Sequence, residues 1–138
     1  MLARRSALLT ALAILAGACG SGADDGPATT TSTSGLDFPN VIEAVAVQAE
    51  DGSWRFDVTI SSRYDTPEQY ADAWRVVGPD GTELGIRVLT HDHASEQPFT
   101  RSQSGIEIPD VVDRVTIEGR DLVNGWGGAT LEIDLERS

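Results

Sequence analysis

Both histidines of the chain, His91 and His93, stand two residues apart, and Glu96 follows three residues later. On an extended segment that spacing turns both imidazoles the same way. Two neutral imidazoles and a carboxylate are ligands that zinc, copper or iron accept, provided a further ligand arrives from elsewhere. Asp110 and Asp113 are the downstream candidates. The competing reading is a polar loop whose histidines cap backbone groups or stand in water. Arg101 lies close by in sequence; its guanidinium can clamp an anionic ligand by two parallel bonds, or pair with one of the many carboxylates. Trp126 lies between Gly125 and Gly127, which cannot shield it. An exposed indole stacks on sugars or docks into a partner; the alternative is that it folds back over the open end of the domain. Cys19 is the only cysteine, so no intrachain disulfide forms.

Other chemistry is thinly represented. There is no Gly-x-Ser-x-Gly elbow, no His-Glu-x-x-His, no phosphate-binding glycine loop and no cysteine in a catalytic setting. Acidic turns at Asp51-Gly52, at Asp80-Gly81 and at Asp121 with Asn124 offer oxygen ligands for calcium, but none has EF-hand spacing, and Asp-Gly is what turns use in any case. No enzymatic activity and no resident cofactor are expected; a bound metal ion at His91, His93 and Glu96 is the alternative.

The N-terminal residues follow a different logic. Arg4 and Arg5 precede an uncharged run from Ser6 to Ala18. A cationic start, an apolar stretch and small residues before a break make a secretory signal. The run is too short to span a bilayer, which takes about 20 apolar residues. It ends in Leu15-Ala16-Gly17-Ala18-Cys19, which resembles the lipobox of bacterial lipoproteins, with Ala16 where that family more often has Leu. The resemblance implies that the Cys19 sulfur takes a diacylglycerol and that the chain is cut just before it. Residues 1–18 are then the signal peptide. Residues 19–35, the lipidated cysteine and a Gly/Ser/Thr-rich stretch, carry too little apolar surface to bury and read as a disordered tether.

The charge supports an anchor of this kind. The formal net charge is -12, and all ten basic residues are Arg. Two of these precede Cys19, so the mature chain keeps eight against 22 acidic residues, near -14. Such a chain repels phosphate backbones, which excludes nucleic acid as a natural partner. Anionic head groups repel it too, so membrane attachment falls to the lipid.

Residues 36–138 are about the length of one domain. Period-two alternation dominates, with no helical period. Val41, Val45 and Val47 fall on one face of a first strand; Asp51-Gly52 signals a hairpin; Trp54, Phe56, Val58 and Ile60 alternate with polar residues. Residues 61–69 read as a loop, with a short helix opening at Pro67-Glu68 as the alternative. A strand over 70–77 leads to the type I turn Gly78-Pro79-Asp80-Gly81. Leu84, Ile86 and Val88 alternate on the way back. A strand over 99–108 ends at Pro109, Val115 and Ile117 mark another, residues 124–128 form a glycine-rich turn, and Leu131, Ile133 and Leu135 lie on the last strand.

About seven strands with turn signals every 8–12 residues predict an all-β antiparallel β-sandwich of the immunoglobulin or fibronectin type III class, with a small closed barrel as the alternative. The run 114–135 resembles the last hairpin of such domains, and the missing disulfide favours the fibronectin-like variant. The stretch 91–102 is similar to one found in a loose group of short exported bacterial proteins, which implies export and class but no activity. The sequence thus predicts an exported, monomeric lipoprotein on the bacterial cell membrane or outer membrane, its domain a non-enzymatic binding or interaction module. The partner would be an envelope protein or a glycan, with Arg101 and Trp126 as candidate contacts. The alternative is a copper- or zinc-binding lipoprotein that uses His91 and His93.

Overall fold

The computed structural model describes residues 36–138; Cys19 and the signal and tether expected over residues 1–35 lie outside the described residues. The described chain is all β. Eight strands run in order: β1 (Asn40–Gln48), β2 (Trp54–Ser61), β3 (Ala71–Val77), β4 (Glu83–Val88), β5 (Phe99–Ile106), β6 (Arg114–Asp121), β7 (Gly125–Trp126) and β8 (Leu131–Asp134). One sheet has the order β1-β2-β5, the other β4-β3-β6-β7, with β8 also paired to β6. Every pairing is antiparallel. Neither sheet closes on itself, so the barrel alternative is set aside. β7 and β8 pair with successive parts of β6; β7 is a two-residue strand inside the stretch 124–128 expected to be only a glycine-rich turn, and it gives eight strands where about seven were expected.

One core joins the two sheets. Trp54, Phe56, Val58 and Ile60 of β2 are all fully buried, and they meet Trp74 and Val76 of β3, Val115 and Ile117 of β6, and Phe99 and Ile106 of β5. Each such side chain contributes about 1.5–3 kcal/mol by leaving water, as an upper bound.

The turns obey their residue chemistry. Gly52 carries φ +87°, and the Asp51 carboxylate accepts hydrogen bonds from the Ser53 N–H (3.0 Å) and hydroxyl (2.7 Å). In the β3–β4 turn the Gly81 N–H donates to the Gly78 carbonyl at 3.0 Å. The Asp80 carboxylate accepts from the Thr82 N–H at 3.0 Å, so both the Asp51 and Asp80 carboxylates are engaged within their own turns.

Two expectations about strand faces change. In β1, pairing slips between Val41 and Glu43, so Ile42 has no partner opposite. One extra residue reverses the faces that follow. Val41 is buried, Ala44 and Ala46 pack on the core, and Val45 and Val47 are 48% and 54% exposed. In β4 the irregularity opposite Val76 and Val77 sends Leu84 toward the core, while Ile86 and Val88 share the outer side with Arg75 and Ala73. The loop expected over 61–69 is the one present: Pro67 and Glu68 start no helix, and a bridge between Thr66 and Gln69 closes a turn there.

Candidate functional site

Three connections gather at one end of the domain: the 62–70, 89–98 and 122–124 loops, together with residues 36–39, which lead into β1. Buried polar side chains hold them. Asp65 accepts hydrogen bonds from the Ala71 N–H (3.2 Å) and the His93 N–H (3.1 Å). The Gln97 carbonyl oxygen accepts from the Ser62 N–H at 2.7 Å, and its amide donates to the Ser62 hydroxyl and the His93 carbonyl. Asp121 accepts from the N–H groups of Val123 (2.9 Å) and Asn124 (2.7 Å) and from the Gln69 amide (3.3 Å). Burial and the neighbouring carboxylates, Asp121 first among them, push the Tyr64 hydroxyl well above its usual range. The sequence reading missed Asp65, Gln69 and Gln97. Only Asp121, with N–H groups two and three residues ahead, had the local signature of a side-chain-stabilised turn.

The predicted histidine cluster forms here. His93 is 3% exposed and stacks on Phe99, ring centres 3.9 Å apart. His91 is exposed and tilts against His93 at 4.6 Å. Arg101 binds Glu96 at 2.7 Å, donates to the Thr100 carbonyl at 2.9 Å, and lies 5.5 Å from the Phe99 ring centre. The guanidinium holds the Glu96 carboxyl below its ordinary range. Glu96 is thus committed to Arg101, and the Arg101–carboxylate pairing weighed from sequence is the one present. Asp110 and Asp113 lie in the β5–β6 connection, at the far end of the strands from the histidines. Among the described residues no group of three or more His, Cys, Asp or Glu side chains is placed to hold a metal ion. His91, His93, Glu96 and Arg101 are therefore brought together, as a packed corner rather than a coordination sphere.

That packing makes the corner sensitive to acid. Burial lowers the His93 pKa from 6.5, the charges of Arg101 and His91 lower it further, and Glu96 and Asp65 pull the other way. The folded state resists a proton that the unfolded chain accepts, so stability is full above pH 6.5 and falls as pH drops below it. Exposed carboxylates begin to contribute only below about pH 5. Melting temperatures measured between pH 7.5 and 5.0 should fall for the wild type and fall less for His93→Phe, which keeps the stack on Phe99. Equal slopes would remove His93 as the cause.

Trp126 is on a different surface. Its register partner is Arg120. Its half-buried indole lies 4.0 Å from the Arg75 guanidinium and 5.2 Å from that of Arg120. Each arginine is itself anchored: Arg75 to Glu118 at 2.7 Å and Glu83 at 3.5 Å, Arg120 to Asp72 through two bonds of 2.8 and 2.9 Å. Asp72 can reach because β3 bulges at that residue. The indole neither projects free nor caps the end of the domain; it is pinned flat among ion pairs on the outer side of the larger sheet. Val88, Ala73, Arg120 and Trp126 form one row there, across β4, β3, β6 and β7. Arg101 belongs to the histidine corner and shares no contact with this row.

No protein-family model matches the chain. No solved structure matches it either. A curated protein of Halomicrobium mukohataei, described as "Putative lipoprotein", is 38% identical over 108 residues, which is 77% of this chain and 53% of that protein. The chain spans about half the length of the relative it matches.

Proposed function

We propose that this is an exported protein held on an envelope membrane through lipidated Cys19, and that its domain is a non-enzymatic binding module of the fibronectin type III kind. The strand order supports the fold assignment. In the immunoglobulin constant arrangement the fourth strand joins the first, second and fifth; here β4 pairs with β3 instead. A lone cysteine directly after an apolar run supports the anchor, as does similarity to a protein described as a lipoprotein.

The observation that carries the binding surface is Trp126. Trp54 and Trp74 are fully buried, whereas Trp126 is held in a fixed pose at the surface by arginines whose charges are already compensated. A pinned aromatic loses little conformational freedom on binding, which is why such residues dominate contact energetics. The partner class is an envelope protein or a glycan. A photo-crosslinker at Val88, exposed on the same row, should form one defined adduct in intact envelopes and lose it in Trp126→Ala. Adducts indifferent to Trp126 would refute this surface.

A further inference from the structure

The corner of the domain beside the first described residue carries a small apolar tip. Leu122 and Val123, in the turn between β6 and β7, are 46% and 66% exposed, and Leu36 is 51% exposed. The Asn124 amide donates to the Asp37 carbonyl at 3.0 Å, which sets the Leu36 segment against that turn. Phe38 and Pro39 continue along it, over Gly127 and Gly119. In a chain of net charge -12, residues 122–125 (Leu-Val-Asn-Gly) carry no charged side chain. Asp121 just before them is buried, its carboxylate committed to the turn's own N–H groups.

We infer that this tip rests on the lipid surface to which the chain is anchored; the inference depends on the lipidation of Cys19 proposed above. The tip lies where the polypeptide from Cys19 enters the domain. Seventeen residue steps separate Cys19 from Leu36, and even fully extended they reach only about 60 Å. The anchor thereby raises the local concentration of bilayer around this corner before any other. Three partly exposed apolar side chains are too few to hold a free protein on a membrane, but added to a covalent lipid they supply the second signal that stable, oriented attachment uses. The turn 122–125 carries no carboxylate that would have to shed its water at the interface; the one exposed carboxylate of the tip, Asp37 beside Leu36, stays on the water side of the contact.

The test uses full-length, lipidated protein reconstituted in phosphatidylcholine vesicles, with a nitroxide at Val123→Cys or, as control, at Val45→Cys on the outer side of the smaller sheet. Acylation of Cys19 is checked by mass. The ratio of collisions with oxygen to collisions with a water-soluble nickel chelate should rise at least fivefold at position 123 on reconstitution and stay flat at position 45. Adding Leu36→Ser and Leu122→Ser, both at exposed positions, should abolish the rise. Acylated protein whose position-123 label remains in water overturns the docking and leaves the anchor standing. Spin–spin broadening at position 123 would also overturn it, because the tip would then face a second copy. A chain without the acyl mass would overturn both readings.

Discussion

Replacing Gly128 by alanine is expected to destabilise the domain by about 2–5 kcal/mol, the sum of left-handed strain and overpacking. Gly128 has φ +86°, and a Cβ placed on it would collide with the backbone carbonyl oxygen of Pro39, which cannot swing aside as a side chain could. The neighbouring glycines serve the same crossing: a Cβ at Gly127 would strike the Phe38 ring, and one at Gly119 would come within 2.9 Å of the Pro39 ring. Hydrogen bonds from the Val41 N–H to the Ala129 carbonyl and from the Ala129 N–H to Asn40 Oδ1, both 2.9 Å, clamp the segment in place. Gly125 is the built-in control. Its φ is +83°, but a Cβ there meets nothing within 4 Å, so Gly125→Ala should lose only about 1 kcal/mol from the backbone conformation. Denaturant titration of the two variants decides the matter. Equal losses would mean that residues 38–39 do not pack where the structure has them.

The second large effect concerns delivery. On the proposed anchoring, Cys19→Ala is expected to abolish incorporation of a fatty-acid label and to leave the proposed 18-residue signal attached, because the sulfur proposed to accept the diacylglycerol is gone. Two acyl chains hold a protein on a bilayer where one gives only marginal binding, each buried CH₂ contributing about 0.8 kcal/mol. Metabolic labelling with an alkyne fatty acid, paired with intact mass, reads both outcomes. Label persisting in the variant, or a wild-type chain cut elsewhere with a free thiol, would contradict the anchor.

The parts of this fold that were legible from sequence are those where local pattern and pairing agree. β2 alternates without ambiguity, since every second residue is polar, and all four of its apolar side chains are buried. The Asp51-Gly52 and Gly78–Gly81 turns follow from residue chemistry alone. β1 misled because Val41, Ile42, Ala44, Val45, Ala46 and Val47 are all apolar, so either phase satisfied the pattern, and the slip at Ile42, fixed by pairing to β2, made the choice. β4 misled for a different reason: Leu84, Ile86 and Val88 alternate cleanly, and only the irregularity opposite Val76 and Val77 puts Leu84 on the other side from Ile86 and Val88. The histidine corner was half legible. That Arg101 takes a carboxylate follows from the excess of acid in the chain, but neither the choice of Glu96 nor the role of Asp65, which acts on His93 across 28 positions, does. The pose of Trp126 depends on Arg75 and Arg120 in two other strands, and flanking glycines said nothing about them.

Two outer surfaces of the domain are set against each other in its native setting: the Trp126 row, proposed above as the partner face, and the outer side of the smaller sheet, where Val45 and Val47 are exposed. Hydroxyl-radical footprinting of the protein in intact envelopes, set against the purified domain, compares them in one experiment. Oxidation of Trp126 and Val88 is expected to drop in the envelope while that of Val45 and Val47 stays the same. Undiminished oxidation of Trp126, or protection of Val45 and Val47 instead, would contradict the assignment of the binding face.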